Sequence, residues 1–80
     1  WFGKAAEQGH AEAQDCLGSM YLLGRGVPQD FVQAHMWLNL SASQGVKEAC
    51  KNRDRIAKRM TSAQIAQAQD LARNWRPVKS

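Results

Sequence analysis

Shifting the 80-residue sequence along itself by 36 positions lays Trp1 on Trp37, Ala6 on Ala42, Gln8 on Gln44, Gly9 on Gly45, Glu12 on Glu48 and Ala13 on Ala49. The order W-x4-A-x-QG-x2-EA therefore occurs twice. A period in the thirties belongs to stacked helix-turn-helix units, each with an apolar face that it covers only by packing on its neighbours. The expected fold is all-α, an α/α right-handed solenoid of antiparallel helix pairs. A chain this short is close to the lower limit at which one core outweighs the entropy of ordering it, so burial shared between units is expected. With 44% apolar and 22% charged residues, the composition is that of a folded domain and argues against disorder.

Local signals place the helices. From Ala11 to Leu23, Ala13, Leu17, Met20 and Tyr21 recur at spacings of three and four and form a buried stripe. Gly18 lies beside that stripe, where glycine costs a helix about 0.5–1 kcal/mol relative to alanine, which points to close approach of a second helix. Gly24, Gly26 and Pro28 break the helix, and Asp30 is placed to cap the next. Phe31 to Ser43 carries Ala34, Trp37, Leu38 and Ser41 at helical spacing and stops at Gly45. A third helix is expected from about Val46 to Arg59, with Ala49, Ile56 and Met60 inward. Thr61-Ser62-Ala63-Gln64 is a capping-box pattern, so a fourth starts there, with Ile65, Ala68, Ala72 and Trp75 on one face and an end before Pro77.

The phasing divides the chain into 1–10, the second helix of a truncated preceding repeat; 11–46, one complete repeat; 47–76, a C-terminal capping helix pair; and 77–80, a tail. A sequence opening inside a repeat reads as an excised piece, whose bared stacking surface around Trp1, Phe2, Ala5 and the helix from Ala11 is expected to self-associate.

The segment from Lys4 to Leu38 resembles a Sel-1-like repeat, a relative of the tetratricopeptide repeat. The positions that carry the likeness are Ala13, Leu17, Gly18, Tyr21, Gly24, Gly26, Val27, Asp30, Ala34, Trp37 and Gly45. Leu38 and Ser41 replace an aromatic and an alanine of that pattern. The tetratricopeptide pattern expects Trp where Gln14 stands and repeats at about 34 residues. The likeness covers residues 1–50; residues 51–76 lose the Leu-Gly and Gly-x-Gly-Val signature and resemble terminal segments of many bacterial members. What the resemblance implies is a non-catalytic scaffold that binds a partner protein or peptide, in settings such as secretion, the bacterial envelope or host interaction.

In such relatives the face opposite the core stripe lines a concave groove. Helical geometry puts Glu12, Asp15, Ser19 and Leu22 on that face, and the repeat offset adds Glu48, Lys51, Arg55 and Lys58. The groove is thus expected to be acidic and partly apolar on one repeat and basic on the next, able to orient an extended peptide by charge. The competing reading is a plain solvated face, since no aromatic anchor stands among these residues. Another is a self-associating structural module.

Catalytic and cofactor chemistry have little support. Residues 1–46 carry a net charge of −2 and residues 47–80 one of +6. The basic run Lys47, Lys51, Arg53, Arg55, Lys58, Arg59 points around more than one helix face with no aromatic to stack bases, so nucleic acid is not expected. His10, His35, Cys16 and Cys50 lack metal-ligand spacing, and no metal or cofactor is expected. Cys16 and Cys50 read as small buried hydrophobes with free thiols, because Cys16 matches Asn52 and not Cys50 at the repeat offset. No glycine elbow surrounds Ser19 or Cys16, though the resemblance leaves a β-lactam- or peptidoglycan-related hydrolase as an alternative. The longest apolar run, Met20 to Leu23, is far below the roughly 20 residues of a membrane span.

Overall fold

The computed structural model describes residues 2–77. Trp1, the Phe2 side chain and residues 78–80 lie outside the described residues, as do the expectations that fall on them. The described chain is all-helical, in the order α1 (Phe2–Glu7), α2 (Ala11–Leu23), α3 (Phe31–Ser43), α4 (Lys47–Ala57) and α5 (Ser62–Asn74). Helix α4 is thus shorter than the span expected from Val46 to Arg59, with Val46 as N-cap and Lys58 as C-cap.

The internal repeat reappears bond by bond in the backbone. After α1, the amides of Gln8, Gly9 and His10 donate to the carbonyls of Ala5, Ala6 and Ala5; after α3, those of Gln44, Gly45 and Val46 donate to Ser41, Ala42 and Ser41. Gly9 and Gly45 both hold φ +97°, a conformation that side chains with a Cβ rarely adopt. Sequence identity at these positions is therefore identity of turn chemistry. The other helix boundaries are equally local. The Asp30 carboxylate accepts from the Gln33 amide at 3.1 Å, and Thr61 and Gln64 close a reciprocal capping box.

Packing centres on α3. Ala34, His35, Met36, Trp37, Leu38 and Ser41 are all buried, so this helix is covered over most of its circumference, as one enclosed by several neighbours must be. On one side Met36 and Trp37 join Ala6, Ala13 and Leu17, with Ala72 and Trp75 of the C-terminal segment packed against them. On the other, Ala34 and Leu38 meet Ala49 and Ile56, flanked by Tyr21, Leu22, Val46 and Met60. The rings of Trp37 and Trp75 meet edge to face with centroids 5.9 Å apart.

Two buried polar side chains tie the layers together. Gln14, fully buried, donates to the Ala6 carbonyl at 3.2 Å and accepts from the Gln44 amide at 2.8 Å. Ser41 donates to the Ala11 carbonyl at 2.7 Å. Together they join α1, α2 and the end of α3 and leave their own polar atoms satisfied, as burial requires. At the next repeat position Gln14 is matched by Cys50, which is too short for the same tie. There Arg53 instead reaches Asn39 at 2.8 Å and the Cys50 sulfur at 3.2 Å.

The expected capping pair of 47–76 consists of two helices that rest on α3 more than on each other. Ala68 of α5 is buried and Ile65, Ala72 and Trp75 are half-buried, so the inward face is the one the spacing predicts. A Cβ at Gly9 would stand 3.8 Å from the Pro77 ring and 4.0 Å from the Trp75 ring, so the end of the described chain lies over the first turn.

Gly18 sets how closely α2 approaches α3. A Cβ at this position would stand 2.7 Å from Leu38 Cγ and 3.2 Å from the Ala34 carbonyl oxygen. Gly18→Ala should therefore lose more in displaced packing than it gains in helix propensity, a net destabilisation of about 1–3 kcal/mol in chemical denaturation. A stabilised variant would mean that the two helices are not held this close.

Candidate functional site

The helices α2 and α4 share a seam. Asp15 is close enough to Glu48 to feel its charge, and Leu22 and Arg55 line one cleft. Early residues meet early residues and late ones meet late ones, so the two helices run parallel, as the first helices of successive repeats should. Of the residues predicted for the concave face, Asp15, Ser19 and Leu22 are half-buried, whereas Glu12, Glu48, Lys51, Arg55 and Lys58 are exposed. The structure brings together Asp15 with Glu48 and Leu22 with Arg55; no hydrogen bond or ion pair joins any of these eight side chains to another among the described residues.

Along this face α2 contributes Glu12 and Asp15 and no base, and α4 contributes Glu48 with Lys51, Arg55 and Lys58. Acid stands beside acid at the N-terminal ends of α2 and α4, and Arg55 and Arg59 stand beside Leu22 and Leu23 at the C-terminal ends. The acids of the two helices are thus neighbours at one end, because parallel neighbours bring equivalent positions into register. The outward stripe is also rotated from the predicted one. Glu12, Cys16 and Leu23 are the exposed residues of α2, and Cys16 is thus outside the core where a buried thiol was expected. Cys50 is half-buried, and both thiols are free.

At the basic end lies a cleft of about 290 Å³, lined by Leu22, Leu23, Gln29, Phe31, Arg55, Ile56 and Arg59. The loop behind it is pinned by the Gln29 side chain, which donates to the Leu22 carbonyl at 2.9 Å, and by the Asp30 amide on the Tyr21 carbonyl. Sequence spacing placed Leu22 and Arg55 in a binding face but missed Leu23, Phe31 and Arg59. The signal was the Leu22-Leu23 pair itself: neighbours in a helix point about 100° apart, so one core contact cannot bury both. Leu23 is left 59% exposed.

Ser19 is half-buried and Cys16 exposed, and neither bonds to His10 or His35 among the described residues. His35 is buried in α3 with its Nδ1 unpartnered. Among the described residues no three His, Cys, Asp or Glu side chains gather to hold a metal, and no helix is long and apolar enough to cross a membrane.

A family profile described as the Sel1 repeat matches residues 1–10 and 11–46. No curated protein matches the chain.

Two perturbed groups give the fold opposite responses to acid. Burial, then the Arg53 charge, hold the His35 pKa below its ordinary value, against a smaller opposing effect of Asp54. The unfolded chain then takes up this proton first, so stability should fall as pH drops below about 6.5 and level off below the lowered folded value. A His35→Gln variant should lack that slope in denaturation midpoints. Burial, then Glu48, raise the Asp15 pKa, and its Oδ1 has no hydrogen-bond partner. Here the folded state protonates first. Asp15→Asn should therefore be the more stable chain near neutral pH, with its advantage fading as pH falls through the raised value toward about 3.9.

Proposed function

The chain belongs to the Sel1 repeat family, and from that premise we propose that it is a non-catalytic scaffold module which binds a partner protein or peptide along the α2/α4 face. Repeats of this family generally mediate protein–protein interaction and are typically non-catalytic. The observation that carries the proposal is the state of that face. Its charged side chains make no internal ion pairs among the described residues. Charged groups free of internal partners, with Asp15 and Glu48 toward one end of the face and Arg55 and Arg59 at the other, suit a segment with the opposite order of charge. The same arrangement gives association an on-rate advantage that salt would remove.

The bound segment would lie across the half-buried seam of Asp15, Ser19 and Leu22, with Glu12, Glu48, Lys51, Arg55 and Lys58 at its sides. Gln69 of α5 lines a separate surface with Asn39, Leu40 and Ser43. Selection of a random peptide library on the immobilised chain tests this reading. Enriched peptides should lose about tenfold in affinity to Ser19→Arg or Glu48→Arg, as expected when a central contact or a complementary charge is reversed, and little to Gln69→Arg on α5. Peptides that tolerate both seam variants and fail on Gln69→Arg would place recognition elsewhere.

A further inference from the structure

We propose that the cleft at the C-terminal ends of α2 and α4 is an anchor site for one bulky apolar side chain carried in an acidic peptide segment. This rests on reading the α2/α4 face as a partner-binding surface and adds which chemistry binds at which end.

The walls are apolar and come from three helices: Leu22 and Leu23 from α2, Phe31 from α3 and Ile56 from α4. A volume of about 290 Å³ lies at the lower edge of ligand-binding pockets, room for a side chain and not for a large cofactor. The walls are also held in place. Phe31 follows directly on the capping residue Asp30, whose amide is bonded to the end of α2, and Ile56 is buried. Leu23 remains 59% exposed, so an entering apolar group would take from water a surface that the fold itself leaves wet.

The rim supplies the sign of the charge. Arg55 and Arg59 are four residues apart and line the same cleft, and neither pairs with an acid among the described residues. Cations near the end of α4 are favourable to its dipole, which explains their presence but not their placement around an apolar wall. The acids of this face, Asp15 and Glu48, stand near the other end of the helices; seven residues of helix separate Glu48 from Arg55, about 10 Å, close to a Debye length at physiological salt. Of the acids nearer the rim, Asp30 caps α3 through the Gln33 amide and Asp54 is paired with Arg53, and neither bonds to Arg55 or Arg59 among the described residues. Guanidinium groups match carboxylates with paired hydrogen bonds, so glutamate or aspartate beside the anchor side chain completes the fit. Phosphate would satisfy the charge but not the walls, and the single aromatic ring, Phe31, is one wall of an apolar cleft and not one of the successive platforms on which nucleic-acid bases stack.

Fluorescence anisotropy on the whole chain provides the test, with a labelled hexapeptide that holds a single phenylalanine in a run of glutamates. This probe should bind, weakening as salt rises, while the same run with alanine for phenylalanine, or phenylalanine in a run of lysines, binds at least about tenfold more weakly. The double charge reversal Arg55→Glu with Arg59→Glu, at two exposed positions, should abolish the preference for glutamate. Leu23→Ser, also exposed, should abolish the preference for phenylalanine. Equal binding of the control peptides, binding unchanged in both variants, or tighter binding of a single-stranded oligonucleotide would overturn the proposal. Should the probe fail to bind while library-selected peptides still depend on Ser19 and Glu48, the chemistry assigned to the cleft is wrong and the α2/α4 face stands. Loss of both dependences removes the two readings together.

Discussion

Everything in this small fold leans on α3. Three helices rest on it, and the contact that permits the closest of these is the absence of a side chain at Gly18, over which Leu38 packs. Glycine inside a helix lowers its intrinsic stability, so α2 depends on tertiary packing to stay helical. That is the general condition of repeat proteins, whose units are individually incomplete. With α3 covered on several sides, both apolar clusters close around it, and α2 and α4 are left parallel along one side. The candidate binding face is a consequence of that packing.

Much of the helical order was legible because its determinants are local. Asp30 caps α3 through a bond to a residue three positions on, and Thr61 with Gln64 does the same for α5. The turn of Gly9 and its copy at Gly45 were visible as a repeated Gln-Gly because only a residue without Cβ takes that φ readily. Gly18 as a point of close approach was legible for a related reason: a costly residue inside a helix implies a gain elsewhere.

What sequence spacing did not disclose depends on how distant segments dock. Gln14 lay within an apolar stripe, between Ala13 and Leu17, which marks a buried polar group; its partners, the Ala6 carbonyl and Gln44, are set by the fold. Cys16 looked like a core residue by type, yet it falls on the outward stripe with Glu12 and Leu23. Counting charges helix by helix separates acid from base, whereas laying the helices side by side in parallel places Asp15 against Glu48 and collects Arg55 and Arg59 at the far end. The anchor cleft, built by three helices and a loop, has no linear motif at all.

The most direct test of a protein-binding α2/α4 face is the map of backbone amide shifts in nuclear magnetic resonance when a library-selected peptide is titrated into the chain. A partner seated there predicts the largest changes along Ser19–Leu23 and Arg55–Arg59, with Phe31 responding at the cleft. Changes concentrated along α5, with α2 and α4 unmoved, would contradict it.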